Sequence, residues 1–364
     1  MIPYYFLLII PLYIASIEYV LWSKQELSLK PKRLNTSIIV FFVLWCILLS
    51  CRSISCGADL KGYEYIFNTT ATQSFSDIFR THSIEQLYYV FNWIIAQISL
   101  NYRLFLIIIA FLCTSIVGWF YWKESEFAPL TILLFVTNAC YGMFYSGLRQ
   151  SIAMLFVIPA YYLVRKKKII TFFLIVLIAT FFHSSASIMF FLYPFFHTKL
   201  KSRSFFAIIS FVVLFFLFKT QLFTAFLPFL GNRFVERYGV IYETNGYAVW
   251  ILFMLFLFFS FVALDEKKMN SDHLGLRNVM LLMTLIQGFA PIHPLAMRMN
   301  YYFILLFPII PPKLMATAKQ ENERIVKFIK WVMVLFFSAF YLFYVCNESR
   351  DGINIYPYTF YWEE

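Results

Sequence analysis

Charged residues are scarce in this chain. They make up 13% of its 364 residues, whereas hydrophobic residues make up 61% and Phe alone occurs 46 times. A soluble protein of this length needs far more polar residues to cover its surface. Apolar runs of about 20 residues, the length that crosses the hydrocarbon core of a bilayer, recur along the sequence. The sequence therefore excludes a soluble globular protein and predicts an all-α, polytopic transmembrane helix bundle.

The chain also lacks the motifs that hold nucleotides and metals. It has no GxxxxGK motif followed by Ser or Thr, and no HExxH, GxSxG or CxxC pattern. Its six Cys show no metal-ligand spacing, and most of them lie in apolar segments, as buried packing residues do. We therefore predict no cofactor and no metal site, and we exclude work driven by cytoplasmic ATP.

Acidic residues are outnumbered, with 19 Asp and Glu against 30 Lys and Arg, which gives a formal net charge of +11. In a soluble protein this excess would suggest nucleic acid, but the cations here cluster in short loops between apolar runs. Such clusters mark the cytoplasmic side of a membrane protein, so we predict a bilayer environment and no nucleic-acid partner. The predicted cytoplasmic loops are about 23–35, 165–168, 199–203, 265–273 and 313–330.

The remaining polar stretches are predicted to be external. They are two loop segments, about 52–86 and 219–246, and a tail, 347–364. With these assignments the chain makes about twelve crossings, has both termini outside, and forms a single integral membrane domain over residues 1–364. Loops carried by a rigid helical scaffold are a usual place for function.

One predicted crossing is irregular. Residues 128–164 are too long for one span and too short for two, and the run NACYG at 138–142 interrupts their apolar pattern. Irregular backbone at membrane depth persists only where it lines protein or a watery cavity. We therefore predict a broken or re-entrant helix near 128–164.

Two apolar segments joined by the basic turn 165–168 carry one ionisable residue each. Arg149 precedes the middle of this turn by roughly 17 residues, and His183 follows it by roughly 16. At 1.5 Å per residue, an antiparallel hairpin places both residues about 25 Å from the turn, near the opposite membrane face. An ionisable residue within a span is costly and indicates a functional group that has a partner.

Other polar residues are predicted to reach the same level. Arg298 begins a predicted span about 22 Å above Lys313, and Arg52 lies just outside another span. Three arginines at one level, with Asp59 and Glu85 in the adjacent external loop, resemble a cradle for a diphosphate with candidate bases. Guanidinium groups stabilise a diphosphate leaving group, and a His or a carboxylate can deprotonate a sugar hydroxyl.

Each of these residues also has a simpler interpretation. Arg149 can extend to the lipid headgroups, His183 can be a hydrogen-bonded packing residue, and Arg298 can anchor the helix at the interface. A headgroup contact explains Arg52 equally well, and Glu85 is most simply a solvated loop charge. The functional interpretation depends on the whole set, which the sequence places at one membrane face.

The motifs that carry these residues resemble those of a known family. The runs GLRQSIAM (147–154), RKKK (165–168) and FFHSSASIMFFLYP (181–194) resemble the EpsG-type, Wzy-like polysaccharide polymerases. The first external loop resembles that family's R…GxD…Y…F pattern, with the glycine displaced to Gly57 before Asp59. The other residues that resemble the family's elements are Tyr63, Phe67, Glu85, Tyr88, Arg298, Tyr301, Tyr302 and the terminal YPY at 356–358.

The resemblance implies a membrane glycosyltransferase that polymerises oligosaccharide repeat units carried on undecaprenyl diphosphate into O-antigen or exopolysaccharide. It implies a site at the outer face of a bacterial inner membrane, and it is compatible with a GT-C-like architecture and a chain-length regulator protein as partner. The glycosyl diphosphate is already activated, which agrees with the lack of nucleotide motifs. The implied catalytic candidates are His183, Asp59 and Glu85, and the implied substrate-binding residues are Arg52, Arg149, Arg298, Tyr63, Gln150 and Arg233.

Two other functions fit parts of the pattern. An O-antigen ligase uses the same donor with a different acceptor, and the sequence alone does not separate it from a polymerase. A flippase or transporter of lipid-linked oligosaccharides predicts internal repeats and polar residues along the full depth of the bundle. Here the polar groups concentrate at one face, which favours the glycosyltransferase.

Overall fold

The computed structural model describes residues 2–23, 35–200, 202–226, 247–345 and 353–363. These ranges consist of α-helices joined by short 3-10 turns and loops, and within them the only β-type pairings are two isolated bridges. The predicted all-α helix bundle is thereby confirmed. Most of two predicted loops, 23–35 and 219–246, lies outside the described residues, as does Arg233.

The helices are numbered in chain order over the described ranges. Those of the first half are α1 (Ile2–Ser23), α2 (Thr36–Cys51), α3 (Leu60–Ala71), α4 (Phe75–Thr81), α5 (Gln86–Ile98), α6 (Tyr102–Glu124), α7 (Ala128–Val136), α8 (Ala139–Ser146), α9 (Leu148–Leu155) and α10 (Val157–Arg165). Those of the second half are α11 (Ile169–Phe182), α12 (Leu192–His197), α13 (Phe205–Leu217), α14 (Lys219–Phe226), α15 (Tyr247–Val262), α16 (Ser271–Gln287), α17 (Pro294–Ile304), α18 (Ile310–Met315) and α19 (Glu323–Val345).

Several of these helices have the length and apolarity of a membrane span. Helices α1, α6 and α19 are each long and apolar enough to cross a membrane on their own. The bent pairs α7–α8 and α13–α14 are long and apolar enough when the two helices of a pair are counted together. The shorter helices α2, α11 and α15 are apolar as well. The chain is thus a multi-pass membrane protein. The crossing number of about twelve stays a prediction, because many predicted spans are divided into shorter helices.

The predicted broken helix is present between α7 and α8, which meet at an angle of 57°. The side chain of Asn138 accepts hydrogen bonds from the backbone N–H groups of Cys140 and Tyr141, at 3.0 and 3.3 Å, and so caps the start of α8. Its amide donates to the carbonyl of Leu134, 2.8 Å away. One asparagine therefore satisfies polar backbone groups on both sides of the break, which irregular backbone at this depth requires.

The antiparallel hairpin predicted around the basic turn is also present. Helices α9 and α10 both pack along α11. The turn between α10 and α11 contains Lys167 in the left-handed region, with φ of 55°. After His183 the chain continues as a 3-10 helix, Ser184–Phe191, which doubles back on α11 before α12 begins. Arg149 and His183 therefore stand at the same end of the hairpin, as the residue count predicts.

Close packing between α2 and α6 depends on a small residue. A Cβ atom at Gly118 of α6 would lie 2.9 Å from Cγ of Phe42, which is closer than real contacts of this kind allow. The two helices make one of the most extensive contacts in the bundle, and the aromatic rings of Trp45 and Phe135 extend that contact to α7. This apolar core separates the two ends of the bundle.

At the end away from Arg149, four buried or half-buried charges form what we call the Glu124 network. Lys313 contacts both Glu124 and Asp272, and Arg165 lies 3.4 Å from Glu124 and 3.2 Å from Asp272. The hydroxyls of Tyr161 and Tyr162 each donate to one of the two carboxylates. The network joins the ends of α6 and α10 to the start of α16 and to α18.

The predicted loop 313–330 is wrong in part. Helix α19 begins at Glu323, and its first turns place Val326 and Ile329, three residues apart, against the core while Lys327 remains exposed. Lys313 is 6% exposed and sits in the Glu124 network instead of a solvated loop.

We predict that Lys313→Met destabilises the protein by about 3–5 kcal/mol, because it leaves two buried carboxylates without one of their cations. Thermal unfolding in detergent measures the loss. The matched control is Lys268→Met, since Lys268 and its partner Glu323 are 44% and 61% exposed, and such pairs contribute less than about 1 kcal/mol. Equal stability of the two variants would contradict a role for the network.

Candidate functional site

The centre of the candidate site is the carboxylate of Glu85. Glu85 directly precedes α5, in the left-handed region with φ of 58°, and is 6% exposed. Its side chain does not cap its own helix but extends toward the hairpin. The interpretation of Glu85 as a solvated loop charge is therefore wrong.

The Glu85 carboxylate contacts both ionisable residues of the hairpin. One oxygen accepts a hydrogen bond from Nη1 of Arg149 at 2.6 Å, and the other lies 2.6 Å from Nδ1 of His183. The backbone N–H of Ser184 donates to this second oxygen, at 3.1 Å. One carboxylate thus connects the start of α5 with the same end of α9 and α11.

The two side chains that contact Glu85 decide its protonation. Burial by itself raises the pKa of the carboxyl, but the contact with His183 and the charge of Arg149 outweigh burial and lower the pKa from 4.5 to about 2. Glu85 is therefore ionised at neutral pH, and an ionised carboxylate with so low a pKa is a poor base.

Arg149 is held in place by rings as well as by Glu85. Its guanidinium carbon lies 5.6 Å from the ring centre of Tyr63 and 5.8 Å from that of Tyr88, within the range of cation–π attraction. The side chain is 29% exposed, and its buried Nε has no hydrogen-bond acceptor among the described residues. The exposed part of the Arg149 side chain is therefore what a ligand can reach.

His183 ends α11 with an extended backbone, and its ring is 26% exposed. A carboxylate beside Nδ1 stabilises a proton on that nitrogen, which leaves Nε2 as the nitrogen that faces a substrate. In the described part of the chain, Nε2 has no hydrogen-bond or ion-pair partner. By sequence alone, His183 and Glu85 are alternative candidates for the base. Their pairing instead leaves His183 as the candidate base and Glu85 as the group that orients it.

Helix α17 brings Arg298 to the same region. The side-chain amide of Gln150 donates to the backbone carbonyl of Arg298 at 2.6 Å, and the hydroxyls of Ser185 and Tyr302 lie 2.9 Å apart. Arg298 and Tyr302 are four residues apart and so share one face of α17. Arg298 is exposed, and within the described ranges its guanidinium makes no hydrogen bond or ion pair.

Asp59 lies beside the site without entering it. Its carboxylate accepts a hydrogen bond from the hydroxyl of Ser146 at 3.0 Å, three residues before Arg149, and its own side chain is exposed. Gly57 has φ of 141°, and a Cβ there would lie 2.4 Å from the carbonyl oxygen of Tyr145, so this turn requires glycine. The displaced glycine is thus used to bring the loop against α8.

Arg52 is placed differently from the other arginines. It is 1% exposed, and its guanidinium donates to the carbonyl of Leu49 and lies 5.8 Å from the ring centre of Tyr145. The backbone of the C-terminal segment covers it through the bridge to Phe360. No contact within the described ranges joins Arg52 to Glu85, and the common level of the three arginines stays a prediction.

Sequence reasoning missed the partners that orient the predicted residues. The two serines of the FHSS motif bind Glu85 and Tyr302, and Tyr88 packs on Arg149. Their positions next to His183 and three residues after Glu85 are the signals that could have indicated them. Within the described ranges, no group of three His, Cys, Asp or Glu could hold a metal ion.

Comparison with known families matches the EpsG family over residues 35–360 of the chain. No curated protein and no solved structure matches it. The matched range includes Glu85, Arg149, His183 and Arg298.

We predict that Glu85→Gln lowers stability at pH 7 by about 3 kcal/mol, which is the free energy that corresponds to a pKa shift from 4.5 to about 2. A carboxyl whose pKa is lower in the folded state stabilises the fold at pH values above its unfolded-state pKa. This stabilisation is lost as the pH falls toward the folded-state pKa. The difference between wild type and variant should therefore be constant above about pH 5 and shrink between pH 4.5 and about 2.

Thermal unfolding across this pH range measures the difference, and Glu321→Gln, at an exposed position, is the control. A difference that persists unchanged at low pH would contradict an ionised, paired Glu85.

Proposed function

The chain belongs to the EpsG family of membrane proteins of polysaccharide biosynthesis, and from that premise we propose that it is a glycosyltransferase that polymerises lipid-diphosphate-linked repeat units. The observation that supports this most directly is the pair of Arg149 and His183 on the carboxylate of Glu85, with the backbone of Arg298 held by Gln150, the residue after Arg149. Cations exceed anions in this group, and a diphosphate supplies the missing negative charge.

In the proposed reaction, Arg149 and Arg298 bind the two phosphates of the donor. A sugar hydroxyl of the acceptor attacks the anomeric carbon of the donor glycan, and the bond from that carbon to the diphosphate oxygen breaks. Negative charge develops on the leaving diphosphate, where the two guanidinium groups stabilise it. The acceptor gains the glycan, and the lipid diphosphate leaves with its charge.

His183 takes the proton of the attacking hydroxyl on Nε2 in this proposal. Glu85, with a pKa of about 2, remains ionised throughout; it orients the ring and stabilises the imidazolium that forms. Glu85 is therefore a positioning residue. Asp59 acts through Ser146 on the segment that carries Arg149, and Gln150 acts through the backbone of Arg298.

The donor lipid is proposed to be undecaprenyl diphosphate, with the Glu85 site at the outer face of a bacterial inner membrane. The support for this sidedness is that basic clusters such as 165–168 occur at the other end of the hairpin. A chain-length regulator protein stays a predicted partner. The transporter alternative is less well supported, because the buried charges of the described ranges gather near the two bundle ends and not along its depth.

We predict that His183→Gln and Arg149→Ala each lower polymerisation about 100-fold or more, since a general base contributes about 10²–10⁴-fold to a rate and a donor that stabilises developing charge about 10²–10³-fold. The measurement is glycan length from purified enzyme reconstituted with its lipid-linked repeat units. The controls are His197→Gln and Arg80→Ala: His197 contacts the carbonyl of Val164 near the other end, and Arg80 is 82% exposed.

Long glycan ladders from stably inserted His183→Gln and Arg149→Ala would refute the assignment. A deletion strain separates polymerase from ligase, because loss of a polymerase leaves single repeats attached, whereas loss of a ligase leaves none attached.

A further inference from the structure

An apolar groove opens on the side of the bundle beside Arg298. Its walls come from α7, the break before α8, α15, α17 and α19, and its volume is about 150 Å³. The only polar residues in its lining are Thr137 and Asn138, at the break; aliphatic and Phe side chains make up the rest. An apolar cavity of about this size stays dry and accepts a hydrocarbon as large as a benzene ring.

The groove begins at the level of the candidate site. Met297 lines it and is the residue directly before Arg298, while Ile304 lines it seven residues further along α17. At 1.5 Å per residue this is a length of about 10 Å. The groove therefore extends along α17 from the residue before Arg298 over a length of about one third of a hydrocarbon core of about 30 Å.

Both helices that lead to the candidate phosphate-binding arginines border this region. Helix α8 packs against α17, and it leads through Gly147 directly to Arg149. The break at Thr137 and Asn138, which separates α7 from α8, forms part of the groove wall. An amphiphile with a diphosphate head and a hydrocarbon tail would thus find cationic and apolar surfaces in adjacent positions.

We propose that this groove binds the first isoprene units of a polyisoprenyl diphosphate whose phosphates lie against Arg149 and Arg298; the proposal rests on the proposed function. The Phe side chains of the groove, among them Phe253 and Phe337, suit a methyl-branched, unsaturated chain. The groove holds one section of the chain, and the remainder extends into the bilayer. The break between α7 and α8 then has a function, since it opens the space for the tail.

The test compares a tailed ligand with its headgroup. Leu252→Trp fills the groove from α15, and Leu255→Trp is the matched control, because Leu255 lies on the same helix, is 61% exposed and does not line the groove. The probes are undecaprenyl diphosphate, inorganic diphosphate and phosphatidylglycerol, and native mass spectrometry of the full-length protein in detergent measures binding.

We expect Leu252→Trp to weaken undecaprenyl diphosphate binding about tenfold, as steric conflict in an apolar pocket does, and to leave inorganic diphosphate binding unchanged. Leu255→Trp should change neither, and Arg298→Ala should weaken both. Excess phosphatidylglycerol should not displace undecaprenyl diphosphate from the wild type.

Two results would overturn the groove assignment while leaving the proposed function standing. One is undecaprenyl diphosphate binding that Arg298→Ala weakens but Leu252→Trp does not. The other is displacement by phosphatidylglycerol in proportion to its concentration, which would make the groove a general acyl-chain site. Failure of the wild type to bind undecaprenyl diphosphate at all would overturn both proposals.

Discussion

The ionised carboxylate of Glu85 is the constraint on which the site end of the bundle depends. Taking a charged carboxylate away from water costs several kcal/mol, and only close cations and hydrogen-bond donors offset that cost. Glu85 obtains them from Arg149 in α9 and from His183 and the backbone of Ser184, which follow α11. The start of α5 and the hairpin therefore stabilise each other, and Arg149 and His183 are held at the two oxygens of one carboxylate.

The two ends of the bundle handle buried charge in different ways, and the difference bears on function. The Glu124 network pairs two carboxylates with Lys313 and Arg165, and tyrosine hydroxyls satisfy the remaining oxygens. It is balanced and closed, so it has little affinity for a further ion. The Glu85 end has one carboxylate for two arginines and a histidine, and Arg298 has no acidic partner among the described residues. Of these two clusters of buried charge in the described ranges, the one around Glu85 therefore has cations left with which to attract an anion.

Elements whose geometry follows from counting along one helix were predictable from the sequence. The common level of Arg149 and His183 follows from 1.5 Å per residue on both sides of a basic turn, and the break near Asn138 follows from a polar run inside an apolar one. The position of Glu85 was not predictable, because a left-handed residue before α5 turns the side chain toward a hairpin about 60–100 residues away in the sequence. Arg52 shows the same limit. Its predicted level says nothing of the direction of its side chain, which turns back to the carbonyl of Leu49 while its backbone pairs with Phe360 in the C-terminal segment.

If the groove and the arginines bind one ligand, they contribute to binding in unequal ways. A hydrocarbon tail in a bilayer is already in an apolar medium, so its transfer into a groove lined by Leu252 and Phe337 gains little from the hydrophobic effect. Most of the affinity must then come from charge-assisted hydrogen bonds between the phosphates and the guanidinium groups, while close packing of the tail in the groove adds about the tenfold that Leu252→Trp is expected to remove. The groove also determines the direction in which the lipid leaves the diphosphate, and hence the direction in which the glycan bond points toward His183. For a reaction that needs the anomeric carbon aligned between a base and a leaving group, orientation of this kind contributes to the rate even where it adds little to binding.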